Sequence, residues 1–294
     1  CSSSRCSIKF KQMIIWLASY PKSGNTWLRS LIASYFYSNN GSFNFKLLDN
    51  IDQFPSPQFF KNYEDPLLEP EATSNFWISE QEKINKEKKI RFLKTHNALC
   101  KINSNSFTDE KNTIGAIYIV RDPRNLITSL AHHYQIDQKE AFNFMRNTKK
   151  ALIEKSKNKF IGFVPILSWD LHVESWINCK KFPVLTIRYE DLLSNAFDTF
   201  KKVIKFINKL SSISNKLDEI KINQSINSCS FDKLEKLEKD NGFHEAMENK
   251  NNKKKIKFFN LGKDNNYKKL LEPSFTQEIS DLYKSQIEKF NYEK

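Results

Sequence analysis

A lysine, a glycine and two hydroxyls crowd into one short turn, Y-P-K-S-G-N-T-W from Tyr20 to Trp27, directly after the apolar run M-I-I-W-L-A that starts at Met13. In a parallel sheet the loop leaving a strand's carboxyl end lies where ligands bind, and the next helix offers unpaired N–H groups and the positive end of its dipole. Such a loop holds an anion. Gly24 lets the backbone approach closely, Ser23 and Thr26 offer hydroxyls, and Lys22 adds a mobile charge. An ordinary β-to-α turn with an exposed lysine is the structural alternative. The turn is not a Walker A motif, in which the lysine follows the last glycine; here Asn25 follows Gly24 and the lysine comes earlier. A second apolar run, Ile114 to Val120, ends in Arg121 and Asp122, so a cation stands where a P-loop NTPase places its magnesium-binding aspartate. Two such cations suit a ligand with two separate anionic groups and speak against magnesium-dependent ATP hydrolysis, unless Arg121 pairs with Asp122 or Glu190.

The elements that must position these residues alternate in type. Gln12 to Ala18 reads as a strand buried on both faces, and Thr26 to Tyr37 carries Trp27, Leu28, Leu31, Ile32, Tyr35 and Phe36 at helical spacing. Further strands are expected at Ile90 to Thr95, Ile114 to Val120 and Pro183 to Arg188, the last two followed by helices from about Pro123 and Asp191. The expected fold is α/β, a central parallel sheet flanked by helices in one domain over residues 1–294. Residues 38–89 and 135–165 are expected on the substrate side, and the polar, lysine-rich segment 240–262 as a flexible flap.

Composition narrows the partners. The chain of 294 residues carries 47 Lys and Arg against 34 Asp and Glu, a formal charge of +13 that favours an anionic ligand without naming it. No apolar run is long enough to span a bilayer. The five cysteines, Cys1, Cys6, Cys100, Cys179 and Cys229, are odd in number and include no C-x-x-C pair, which fits a reducing, cytoplasmic compartment and suggests neither a disulfide framework nor a metal site. A first residue of Cys1 with no methionine fits a trimmed start, and a lipid-modified Cys1 would leave almost no tether before the first strand.

Taken together, these residues resemble the sulfotransferase family that uses 3′-phosphoadenosine 5′-phosphosulfate (PAPS). Y-P-K-S-G-N-T-W resembles its 5′-phosphosulfate loop, with Asn25 where threonine is common, and I-V-R-D-P-R-N-L-I-T-S-L, Ile119 to Leu130, resembles its 3′-phosphate motif. The resemblance implies a P-loop-like sulfotransferase fold, PAPS as sulfuryl donor with no metal, and Arg121 with Ser129 as the 3′-phosphate ligands. F-L-K-T-H, Phe92 to His96, resembles the segment whose histidine is the general base, which suits a neutral imidazole taking a proton from an acceptor hydroxyl. By the same resemblance Lys22 is the catalytic lysine, with Lys94 as a second candidate. His132, His133, His172 and His244 are left as structural.

Weaker likenesses complete the expected donor site. R-Y-E-D-L puts Tyr189 at the cofactor; C-S-F, with Cys229 for threonine, puts Phe231 against the purine; F-N-L-G-K-D-N-N-Y-K keeps Gly262 but has Asn260 for an arginine, leaving Lys257 or Lys263 to supply that cation. The expected donor-binding set is therefore Lys22, Ser23, Gly24, Asn25, Thr26, Trp27, Arg121, Ser129, Tyr189, Cys229, Phe231, Gly262 and Lys263. Trp169 and Trp176, seven apart, are expected in the core. The aromatics Phe43, Phe45, Phe54, Phe59, Phe60, Tyr63, Phe76 and Trp77 fit either an apolar acceptor pocket or a core. The acceptor is expected to be a small molecule or a glycan, neither nucleic acid nor a membrane span is expected, and the oligomeric state is open. A P-loop nucleotide or metabolite kinase and a polyanion-binding module using Lys250 to Lys257 are the rival classes.

Overall fold

Four short stretches, among them the central Ile14–Ser19, all-apolar but for one serine, and the mixed Arg91–Thr95, pair side by side, all parallel, in a sheet that is covered on both faces. The computed structural model describes residues 13–63, 69–156, 159–211, 217–249 and 252–292. Cys1, Cys6 and Gln12, and Lys250 of the lysine-rich run, lie outside the described residues. The strands are β1 (Ile14–Ser19), β2 (Arg91–Thr95), β3 (Lys101–Ile102), β4 (Asn105–Ser106), β5 (Thr113–Val120), β6 (Ala151–Ser156), β7 (Lys159–Pro165) and β8 (Val184–Arg188). Their order in the main sheet is β2-β1-β5-β8, with β3-β4 and β6-β7 as separate antiparallel pairs. In register, Ala18 of β1 lies beside Thr95 of β2 and Tyr118 of β5, so all three strands release their loops at the same edge.

Alternation along each strand divides the core into two layers. Ile14, Trp16 and Ala18 of β1, with Ala116, Tyr118 and Val120 of β5, face a layer that includes Trp169, Trp176 and Phe107. Ile15 and Leu17, with Ile117 and Ile119, face the other, filled by Leu28, Leu31 and Ile32 of helix α1 (Asn25–Tyr37) and by Phe200, Val203, Ile204 and Ile207. The remaining helices used below are α2 (Trp77–Asn85), α3 (Pro123–Tyr134), α4 (Gln138–Arg146), α5 (Trp169–Ile177), α6 (Tyr189–Ser194), α7 (Ala196–Leu210), α8 (Glu219–Ser228) and α9 (Phe231–Asn241). Helix α3 starts where the chain tells it to: the Asp122 carboxylate accepts from Arg124 N (2.9 Å) and Pro123 takes the first helical position.

The aromatic excursion after α1 is mostly core. Phe54, Phe60 and Trp77 are buried, with Phe54 packed on Trp16 (5.8 Å between ring centroids) and Trp77 edge-on to Phe107 (5.6 Å). Phe43 and Phe45 instead join Phe243 and Phe259 in the opposite layer. Trp169 and Trp176 are buried as expected, and the Trp176 indole donates to the Asn97 carbonyl (3.0 Å). In residues 135–165 the chain forms α4 and the β6-β7 hairpin, elements that the composition of that segment did not announce.

Candidate active site

The turn after β1 folds as its residues require. Gly24 caps α1 with φ of 101°, and a Cβ there would lie 2.6 Å from the Tyr189 ring, so both the backbone angle and the space call for glycine. Asn25 is buried and donates inward, to Leu17 O (2.9 Å) and Ser19 Oγ (3.2 Å), tying the turn to the strand it leaves. Lys22 points the other way. Its Nζ sits 3.7 Å from the centre of the Phe258 ring and 3.5 Å from His133 Nδ1, and burial, with help from Arg121 and Lys94, pulls its pKa down to about 7. A lysine so placed is poised to gain from a nearby anion.

The exit of β5 lies against this turn. Arg121 Nη1 donates to the Lys22 carbonyl (3.1 Å) and to Ser129 Oγ (3.1 Å), while its guanidinium lies 4.2 Å over the Tyr189 ring. Pairing with Asp122 or Glu190 does not occur: Asp122 holds Arg124 instead, and Glu190 Oε1 accepts from Asp122 N. Arg121 Nε is buried with no partner among the described residues. Ser129 Oγ also accepts from Asn265 Nδ2 (2.9 Å), so its own O–H is left to donate elsewhere. These unspent donors fit an anion.

The exit of β2 supplies the third group. His96 Nδ1 donates to the Ser19 carbonyl (2.8 Å); a carbonyl can only accept, so the lone pair is on Nε2, which has no partner among the described residues. Burial, with Lys94 beside it, pulls the His96 pKa down to about 3 and keeps the ring neutral. His172 braces it from behind, with Nε2 donating to His96 O (3.1 Å) and Nδ1 accepting from the Tyr118 hydroxyl (2.9 Å). Lys94, buried and pulled down to about 8 chiefly by burial, donates to Glu245 Oε1 (3.0 Å).

A cavity of about 1190 Å³ joins the three exits. Of the expected residues, Lys22, Gly24, Asn25, Thr26, Trp27, Lys94, His96, Arg121, Ser129, Tyr189, Phe231, Gly262 and Lys263 line it. Trp27 stands edge-on to Tyr189 (5.7 Å), which gives the cavity an aromatic wall. Ser23 and Cys229 do not line it: Ser23 is buried beneath the turn, and Cys229 sits in the core, its thiol pushed up to about 12 by burial. None of the eight aromatics considered for an acceptor pocket lines it either; among the described residues of 38–89 only Gln53 does. Lys257 and Lys263 both line the cavity; Lys257 pairs with Glu235, whereas Lys263 makes no ion pair among the described residues.

Comparison with known proteins names this arrangement. The family model described as sulfotransferase domain matches residues 13–291. The chain belongs to the sulfotransferase family. Among relatives, sulfotransferase 1B1 of Canis lupus familiaris is 28% identical over 199 residues, covering 66% of this chain and 59% of that protein, and luciferin sulfotransferase of Photinus pyralis is 25% identical, covering 75% and 56%. The chain thus spans about three fifths of the length of these curated relatives. Retinol dehydratase in complex with androsterone and inactive cofactor PAP shares the fold at a TM-score of 0.59 and 17% identity, covering 93% of this chain and 80% of that one. Mouse sulfotransferase SULT7A1 complexed with PAP does so at 0.54 and 18%, covering 94% and 84%.

Within this sulfotransferase domain, sequence reading passed over three residues that the fold brings to the cavity. Asn265 stands in the carboxyl-terminal segment already noticed for Gly262, and an asparagine amid polar neighbours carries no signal of its own. His133, expected to be structural, lines the cavity beside Lys22, held neutral at about 3 by burial and the nearby lysines. Glu245 came from the segment expected as a flap. Its Oε2 accepts from Thr26 Oγ1 (3.2 Å) and its Oε1 from Arg29 (2.6 Å) and Lys94 (3.0 Å). Around it Phe243, Ala246 and Phe259 are buried, and Ile256 N donates to Met247 O (2.8 Å), so this stretch is docked against the body as a strap.

Proposed function

We propose that this chain transfers a sulfuryl group from PAPS to a hydroxyl or amine of a small-molecule or glycan acceptor. The observation that carries the proposal is the linkage of two cationic crossover turns, Arg121 donating to the Lys22 carbonyl, beside a neutral histidine whose Nε2 is unengaged. That spacing suits a nucleotide with an anion at each end. Lys22, Gly24 and Thr26 would hold the phosphosulfate end, Arg121 and Ser129 the 3′-phosphate, and Trp27, Tyr189 and Phe231 the purine. When bound, the donor supplies a sulfuryl group already activated by its phosphate leaving group. His96 Nε2 then accepts the acceptor's proton as the new S–O or S–N bond forms, and Lys22, with Lys94 second, balances the charge left on the departing phosphate oxygen. The low basicity of His96 comes first from burial and then from Lys94, and negative charge arriving beside it raises that basicity. PAP in the solved neighbours, and the androsterone and luciferin of the neighbours' names, belong to those proteins and support this reading of donor and small-molecule acceptor.

A kinase reading finds Arg121 where its metal-binding aspartate would stand, and the neighbouring Asp122 is committed to Arg124 and to the cap of α3. The test is direct. Titration calorimetry should give adenosine 3′,5′-bisphosphate (PAP) binding well ahead of ATP with magnesium, and His96→Ala should keep that affinity while turnover with labelled donor and an acceptor panel falls about 10²- to 10⁴-fold. Preference for the triphosphate would end the donor assignment; near-normal turnover of the variant would remove His96 from the role.

A further inference from the structure

The strap carries one carboxylate to a place where the proposed reaction needs none. Glu245 is 17% exposed and lies between Arg29 and Lys94, both buried, and also holds the Thr26 hydroxyl. Burial alone would raise its pKa, but Lys94 and Arg29 outweigh that and keep the carboxyl ionised, well below the usual carboxylate range. Two adjacent buried cations without a counter-charge are strongly disfavoured, so in the free protein something anionic has to stand there. A carboxylate matches one edge of a sulfonate or phosphate: equal charge, and oxygens that accept from the same ammonium and hydroxyl.

We infer that Glu245 is an internal anion seated at the phosphosulfate end of the donor site, which the donor displaces on binding, so that this one side chain sets the affinity of that end. The inference rests on the donor reading above. Thr26 and Lys94 each line the cavity and each is engaged by Glu245, so a ligand anion and this carboxylate compete for the same two donors. Its neighbours on the strap, His244 and Met247, are exposed, so the carboxylate lies close to the surface. Nothing comparable stands on Arg121, which makes no ion pair among the described residues. Competition is therefore confined to one end of the site. A merely structural strut predicts the reverse, since removing it would leave Arg29 and Lys94 misplaced and binding weakened.

The experiment is calorimetric titration of the full chain and of Glu245→Gln and Glu245→Ala with PAP, adenosine 5′-monophosphate and adenosine 3′-monophosphate. Glu245→Gln keeps the shape and can still accept from Arg29 while losing the charge. Its affinity for PAP and for the 5′-monophosphate should rise about tenfold, the worth of one opposing charge at a half-buried site, and its affinity for the 3′-monophosphate should stay within about twofold. Unchanged or weaker binding of the 5′-ligands overturns the inference, as does an equal gain for the 3′-monophosphate, which would reduce Glu245 to a general charge effect. Failure of both variants to fold would make the residue a strut and overturn it too. Absence of PAP binding by the unaltered chain and by both variants would instead bring down the donor reading, and the inference with it; PAP binding by the unaltered chain with no gain in the variants sinks the inference alone.

Discussion

The two ends of the cavity solve the problem of a buried cation differently. At one end Arg121 is surrounded by dipoles and a ring face, the Lys22 carbonyl, Ser129 Oγ and Tyr189, and its charge is left for a ligand. At the other, Arg29 and Lys94 share a full carboxylate brought by Glu245, 216 and 151 residues away along the chain. A lone guanidinium tolerates such company because it is planar, weakly hydrated and able to stack. Two neighbouring cations do not, and the ammonium of Lys94, a compact and strongly hydrated charge, least of all. One end is preassembled for an anion; the other is filled until an anion arrives.

Removing the preassembled end should have the largest effect on binding. Arg121→Ala takes away charge-assisted hydrogen bonds worth about 1.5–3 kcal/mol, so PAP affinity should fall roughly 10- to 150-fold by calorimetry. Arg121→Lys should recover little, because one ammonium cannot stack on Tyr189 while also reaching Ser129 and the Lys22 carbonyl. A loss of less than about twofold in the alanine variant would break the comparison, since the end would then be holding nothing.

Titration of the lysines sharpens the contrast. Burial first, with neighbouring cations, leaves Lys22 with a pKa of about 7, so near neutrality in the free protein it is divided between its charged and neutral forms. An arriving dianion favours the charged form and raises that pKa, so binding between the free and bound values takes up a proton and weakens as pH rises. PAP affinity should therefore drop from pH 7 to pH 9 by up to about tenfold per unit, with proton uptake visible as a buffer-dependent enthalpy. A flat profile would place Lys22 away from the ligand. The same burial has a consequence for stability. His96 and His172, both at about 3, stay neutral in the folded state while the unfolded chain protonates them near the ordinary histidine value. Their contribution is therefore complete above about pH 6.5 and is lost as pH falls below it, adding to any acid-side loss in melting temperature.

How much of this could be read from residue order depends on where each group's neighbours lie. Lys22, His96 and Arg121 stand at or just after strand ends, so an apolar run followed by a polar turn announced both the strand and the exposed group, and the parallel sheet placed all three exits on one edge. Strand limits came within two residues for the same reason; the β1 strand was expected over Gln12 to Ala18 and runs Ile14–Ser19. Glu245 lies in a stretch of Lys, Glu and Asn whose composition is that of a solvated face, and only the docking of Phe243 and Phe259 carries its carboxylate inward. Cys229 shows the converse. It stands in a C-S-F segment that resembles the family's, but the end of α8 turns its thiol into the layer below the sheet. Phe54 and Trp77 were undecided between pocket and core because an aromatic is equally suited to both; the fit against Trp16 and Phe107 decides it, and no residue count contains that fit.

The smallest effect belongs to a residue that touches no charge. Asn265 Nδ2 donates to Ser129 Oγ (2.9 Å) and to Asn125 O (2.8 Å), and its Oδ1 accepts from Thr128 Oγ1. With Arg121 also donating to Ser129 Oγ, the serine is held as a double acceptor and its proton is directed away from both donors, available to a phosphate oxygen. Asn265→Ala removes one of those donors and frees the hydroxyl to rotate, at a cost of about 0.5–1 kcal/mol, a roughly two- to fivefold weaker PAP complex. The loss should appear equally with adenosine 3′-monophosphate and vanish with adenosine 5′-monophosphate, the mirror image of the pattern expected for Glu245→Gln. In an Arg121→Ala background it should shrink, because the two donors act through one serine. If Asn265→Ala instead weakened both monophosphates alike, the two ends would share their supports, and the division between a preassembled end and a filled one would not hold.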